Sequence, residues 1–142
     1  GRSAGGHLAL MLAAKFPAQV QAVVALYPVA DFHSLEDAAT DSDILRTKSW
    51  IRSLFSGKEN LKPAMSPVQT CTAEMLRTLL VHGANDPVVT IEQSDLLYST
   101  LLELKVPVSY LRLCKGTHGF DGLSGGLSMQ SFREVLSKFL KI

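Results

Sequence analysis

No run of like charge, no apolar stretch of membrane-spanning length and no cysteine framework marks this sequence. Its 14 Lys and Arg and 13 Asp and Glu are interspersed along 142 residues, for a formal net charge of +1. Such a chain has no basic stripe to track a phosphate backbone, so nucleic acid is not expected as a partner. No apolar stretch approaches the roughly 20 residues a membrane helix needs, and no charged-then-apolar leader stands ahead of Gly1. The two cysteines, Cys71 and Cys114, are too few and too far apart for a disulfide scaffold or a zinc knuckle. They are expected to be reduced, partly buried thiols, which leans towards a reducing compartment such as the cytoplasm. Oligomeric state is not legible. What is present is the makings of one ordinary core: 46% of the residues are hydrophobic.

The apolar pattern changes period along the chain. From Ala4 to Phe16, AGGHLALMLAAKF is apolar almost all the way round and stops at Pro17, which predicts a helix buried on most sides. VQAVVALYP, Val20 to Pro28, is β-branched, continuously apolar and ended by proline, as a strand covered on both faces would be. Residues 31–67 interrupt the alternation, first with a polar, acidic stretch and then with SWIRSLFSG, in which Trp50, Ile51, Leu54 and Phe55 share a helical face before Gly57. This segment is expected to be a cap-like insertion over the core. TLLVHG, Thr78 to Gly83, predicts a second strand, and NDPVV after it is turn chemistry. Thr90 and Gln93 have capping-box spacing ahead of a helix running to about Lys105, with Leu97, Leu101 and Leu104 on one face. PVSYLRL, Pro107 to Leu113, predicts a third strand. CKGTHGFDGLSGG is a Gly-rich loop, and Phe132, Val135, Leu136, Phe139 and Leu140 stripe a last helix. Helix, strand, insertion, strand, helix, strand, helix is half of a doubly wound α/β domain with a parallel sheet.

Three polar residues then fall at the carboxyl-end side of the strands, where open α/β sheets place their sites. Ser3 precedes the first helix, Asp86 follows the second strand and His118 follows the third. A serine hydroxyl attacks poorly at neutral pH unless a histidine takes its proton and a carboxylate holds that histidine in the right tautomer. Gly1 and Gly5 flank Ser3 in Gly-x-Ser-x-Gly, where a sharp strand-to-helix turn lifts the serine and leaves little room for a Cβ on either side. The bland alternatives are an N-cap for Ser3 and a turn residue for Asp86. Asp31, which also follows a strand, is the rival acid. His7 and His82, beside glycines, are expected to make backbone hydrogen bonds, and no His or Cys pair has metal-ligand spacing.

GRSAGGHLAL, SPV (Ser66 to Val68) ahead of TLLVHGANDPVV, and GTHGF (Gly116 to Phe120) together resemble the α/β-hydrolase superfamily. Within it they are similar to the esterases related to hormone-sensitive lipase and to the acetyl-esterase-like BD-FAE proteins. The resemblance spans almost the whole chain and implies the C-terminal half of an α/β-hydrolase domain beginning at the nucleophile elbow. It implies Ser3 as nucleophile, His118 as base, Asp86 as the orienting acid and the Ala4 backbone N–H as an oxyanion donor. The substrate would be a small-molecule ester, and no metal or cofactor is implied. Trp50 and Phe55 are expected either to line an acyl pocket or to seal the insertion. Arg2 departs from the hormone-sensitive lipase pattern, where an acidic residue is commoner. Two alternatives stay open: a peptidase of the prolyl-oligopeptidase type, and a binding protein on the same fold. The His-Gly-Gly oxyanion loop that such proteins carry upstream of the elbow does not occur in these residues. The 142 residues alone are therefore expected to be inactive and prone to aggregate.

Overall fold

The computed structural model describes residues 1–38, 42–122 and 126–141. Part of the insertion (39–41) and the tip of the Gly-rich loop (123–125) therefore lie outside the described residues. The order of elements is α1 (Ala4–Lys15), β1 (Val23–Leu26), α2 (Phe32–Asp37), α3 (Ser42–Phe55), α4 (Pro67–Thr70), β2 (Thr78–Gly83), α5 (Glu92–Glu103), β3 (Val108–Leu113) and α6 (Leu127–Leu140), with short 3-10 turns between them.

The strands form one parallel sheet in the order β1-β2-β3, with Val23 opposite Thr78 and Thr78 opposite Val108. Successive side chains on a strand point to opposite faces, and the core divides accordingly. Val23, Ala25 and Leu80 pack with Leu10 and Ala13 of α1 and Leu97 and Leu101 of α5. Leu26, Leu79 and Val81 pack with Phe132 and Phe139 of α6. Burial on both faces explains why β1 and β2 read as apolar runs, whereas β3, at the edge of the described sheet, leaves Ser109 and Arg112 exposed. A third cluster, Val29, Phe32, Leu35, Ile51, Phe55 and Val89, joins α2 and α3 to the ends of the strands.

Several expectations are corrected. The first strand is shorter than Val20 to Pro28: Val20 closes a 3-10 turn on Pro17, and Tyr27 leaves extended geometry at φ 38°. Helix α1 is buried on one face only, through Gly6, His7, Leu10 and Ala13, while Leu8 and Leu12 are 65% and 54% exposed. Gln93 makes no capping box; its side-chain oxygen accepts the Ala30 and Asp31 N–H groups at 3.0 and 2.8 Å, and its amide donates to Ser34 Oγ at 2.8 Å. Three stray backbone and hydroxyl groups after β1 outcompete a local cap. Helix α3 buries Ile51 and Phe55 but exposes Trp50 and Leu54, and Leu140 of α6 is exposed as well. Cys71 is half-buried, its thiol pushed up to about 12 by burial, whereas Cys114 is exposed.

Candidate active site

The Gly1–Gly5 turn runs beside β1. Arg2 bridges Leu26 in parallel; Leu26 N–H donates to Gly1 O, and Ser3 N–H donates to Leu26 O, both at 2.9 Å. These bonds place Ser3 at the carboxyl end of the sheet with φ 48° and ψ −124°. A serine in that region carries backbone strain on the order of 1–3 kcal/mol, which the surrounding bonds must hold in place. Gly1 is indispensable: a Cβ there would sit 2.1 Å from Gly5 O. Gly5 does not crowd its surroundings as its motif position suggests, since a Cβ there meets nothing within 4 Å. The tight approach falls instead at Gly6, whose Cβ would lie 3.2 Å from Leu26 O and from Pro28.

Asp86 sits three residues beyond β2. Its Oδ1 accepts the Val88 and Val89 N–H groups, both at 2.9 Å, so the NDPVV turn wraps one carboxylate oxygen in backbone donors. The other oxygen, Oδ2, lies 2.8 Å from His118 Nδ1, and His118 Nε2 lies 3.1 Å from Ser3 Oγ. The carboxylate can only accept, so the imidazole proton belongs on Nδ1 and Nε2 is left to accept the serine hydroxyl. Burial alone would raise the Asp86 pKa. Hydrogen bonds from His118, His82, Val89 and Val88 outweigh it and hold the carboxyl at about 2.

The histidine loop is held against the acid turn by backbone contact. A Cβ on Gly83 would fall 2.3 Å from Gly116 O, and Asn85 N–H donates to that same oxygen at 3.0 Å. Ser3, Asp86 and His118, which are up to 115 positions apart in sequence, are thereby brought into one hydrogen-bonded series. Ala4 opens α1, and as a first-turn residue its N–H has no acceptor within the helix.

The other candidates go elsewhere. Asp31, the rival acid, caps α2 by accepting Ser34 N–H at 3.0 Å. His7 bonds Val29 O at 3.1 Å, and burial lowers its pKa. His82, fully buried, bonds Val89 O at 2.9 Å and Ser94 Oγ at 2.7 Å, but its Nε2 also lies 3.4 Å from Asp86 Oδ2. The i, i+4 spacing of His82 and Asp86 is the one sequence signal of that contact. Tyr27, whose sequence signal is that of a strand residue alone, packs its ring against His118 with centroids 4.6 Å apart. Ser66 of the SPV segment is buried, accepting Phe32 N–H and donating to Lys62 O.

A cleft of about 410 Å³ opens at Ser3, lined by Ala4, Val29, Arg46, Trp50, Val88 and Val89 among others. Trp50 is thus a wall of the cleft. Phe55 is not: it is 1% exposed and packs edge-on against Phe32 at 4.8 Å, because five helical residues turn it about 140° from Trp50. Among the described residues no group of three or more His, Cys, Asp or Glu could hold a metal ion, and no helix is long and apolar enough to cross a membrane.

Comparison with known proteins bears on this geometry. The chain is 32% identical to Esterase LipC of Mycobacterium tuberculosis (strain ATCC 25618 / H37Rv) across 88% of its own length, but spans only 35% of that protein. Its fold overlays 99% of the chain on an acetyl ester-xyloside bifunctional hydrolase from Caldicellulosiruptor lactoaceticus, with a TM-score of 0.76 and 20% identity, covering 54% of that structure. It also overlays the whole chain on an acylaminoacyl peptidase in complex with Z-Gly-Gly-Phe-chloromethyl ketone, with a TM-score of 0.82 and 16% identity, covering 23% of that structure. These neighbours share the α/β-hydrolase fold, of which the three-stranded parallel sheet and its helices form a part. The BD-FAE family model matches residues 1–101, from the serine turn through the acid turn and most of α5, and on that match the chain belongs to the BD-FAE family.

Proposed function

We propose that the protein hydrolyses carboxylic esters through an acyl-enzyme. Ser3 Oγ attacks the ester carbonyl while His118 Nε2 takes its proton. The same proton passes to the departing alkoxide as the carbonyl–oxygen bond breaks, leaving Ser3 acylated. Water then attacks the acyl group, gives its proton to His118 and releases the acid, and the proton returns to Ser3. Asp86 holds His118 with its proton on Nδ1, and the Ala4 N–H at the head of α1 faces the developing oxyanion with the helix dipole behind it. Residues 31–67 act as a cap, contributing Trp50 to the acyl-binding wall.

The observation that carries this reading is the hydrogen-bonded series from Ser3 through His118 to Asp86, at 3.1 and 2.8 Å. The esterase names of the relatives support the choice of ester. The test is labelling of the full protein with a fluorophosphonate probe, with Ser3→Ala as control, alongside hydrolysis of p-nitrophenyl esters. Labelling that depends on Ser3 is expected. Absence of it sinks the reading and favours a binding protein on the same fold.

A further inference from the structure

Backbone contact ties the base of the histidine loop, at Gly116, to the acid turn, but not the stretch beyond it that carries His118. Between Thr117 and Gly122 the described backbone hydrogen bonds are local, Phe120 N–H to Thr117 O at 3.3 Å and Gly122 N–H to Gly119 O at 2.9 Å. What fixes His118 against the sheet must therefore come largely through side chains. Tyr27, at the end of β1, is 2% exposed; its ring lies against the His118 ring, with centroids 4.6 Å apart and planes at 60°, and edge-on to Phe120 at 5.5 Å. The Tyr27 hydroxyl donates to Asp121 Oδ1. The other oxygen of Asp121 accepts from Arg2 Nη1 at 3.3 Å, and Arg2 directly precedes Ser3. Burial and the Asp121 carboxylate raise the Tyr27 phenol well above its ordinary pKa, so its hydroxyl stays a donor.

We propose that Tyr27 and Asp121, with Arg2, are positioning residues that hold the His118 imidazole over Ser3 by a route independent of the Ser3–His118 hydrogen bond. The reason is mechanical. In the acyl-enzyme, Ser3 Oγ has become an ester oxygen and no longer has a proton to give Nε2, so the bond that aligned the two in the free enzyme is gone. The Tyr27 ring and the Asp121 tie use neither Nε2 nor Nδ1 and persist through both half-reactions. Arg2 is two-thirds exposed, so its ion pair is screened and contributes least; the part-buried Tyr27–Asp121 bond contributes most. This also gives the unusual Arg2 a purpose, since an acidic residue there would repel Asp121.

The kinetic part of the test rests on the ester-hydrolase reading, so a second measurement stands apart from it. In the full protein, Tyr27→Phe and Asp121→Ala are each expected to lower kcat about tenfold while KM stays within about twofold of the parent. Asp121→Asn, which keeps an oxygen for the Tyr27 hydroxyl, is expected to recover most of that loss. Tyr110→Phe is the control: it removes another tyrosine hydroxyl bonded to an aspartate, Asp95 at 2.9 Å, away from the site, and leaves kcat unchanged. By NMR, the His118 Nδ1 proton is expected to exchange with water faster in Tyr27→Phe than in the parent or Tyr110→Phe. Parental kcat in both Tyr27→Phe and Asp121→Ala, a change in KM alone, or an equal loss in Tyr110→Phe overturns the proposal. A parent without Ser3-dependent labelling refutes the ester-hydrolase reading instead, and the exchange rates then decide the positioning role by themselves.

Discussion

Replacing Asp86 by asparagine is expected to lower kcat on the order of 10⁴-fold, about 5 kcal/mol of transition-state stabilisation, although the side chain keeps its shape. The reason lies in which oxygen has which partner. Oδ1 accepts two backbone N–H groups, from Val88 and Val89, each at 2.9 Å. An amide turned with its NH2 there would set donors against donors and lose two hydrogen bonds, each worth about 1 kcal/mol or more once its buried partner is left unpaired. The amide oxygen therefore stays on the turn and the NH2 takes the place of Oδ2, 2.8 Å from His118 Nδ1. Facing a donor, Nδ1 must present a lone pair, and the imidazole proton moves to Nε2. That nitrogen, 3.1 Å from Ser3 Oγ, can then no longer take the serine proton. Initial rates with p-nitrophenyl acetate measure the loss, and nitrogen chemical shifts of His118 report the tautomer. A folded Asp86→Asn variant within about tenfold of parental activity, or one that keeps its proton on Nδ1, would refute the reasoning.

Asp86 also predicts an acid limit. Its pKa falls from 3.8 to about 2 on folding, so the folded state favours the charged form; the contribution is complete above about pH 4, shrinks as pH falls through that window and is gone below about 2. A shift of that size corresponds to roughly 2 kcal/mol, measurable as a drop in urea midpoint between pH 5 and pH 2.5 that Asp86→Asn lacks. Trp50→Ala is expected to raise KM about three- to tenfold with little change in stability, whereas Phe55→Ala should cost about 3–5 kcal/mol of stability. Denaturant melts and KM values on the two variants separate pocket wall from core; equal effects on KM would contradict the division. Gly83→Ala drives a Cβ to within 2.3 Å of Gly116 O and must part the acid turn from the histidine loop. About 1–3 kcal/mol of stability and most of the activity should go together, and an unchanged urea midpoint would show that the contact is not tight.

Much of the architecture was legible because its signals are local. The apolar run TLLVHG announces a strand buried on both faces, PVSYLRL announces a strand by its β-branched and aromatic residues, and Ser3, Asp86 and His118 each sit in turn chemistry at a strand's carboxyl end. Where side chains had to choose between near and distant partners, local pattern failed. Gln93 fitted a capping box but serves the backbone after β1, and Trp50 and Phe55 shared an apolar stripe yet ended on different sides of α3. Gly1 is close-packed as its motif position requires, but on the helix side the tight approach falls at Gly6 and not Gly5, because the neighbours there are Leu26 and Pro28 of another segment.

The order of elements, the residue types of the candidate site and the family itself were determined by the sequence, since periodicity, turn residues and motif spacing act within a few positions of the chain. The tertiary structure decided that Oδ2 of Asp86 faces His118, that Tyr27 packs against His118, and that Arg2 reaches Asp121. Those are contacts between segments up to 119 residues apart. They depend on how three parallel strands stack their ends together, and nothing in the local chain encodes that distance.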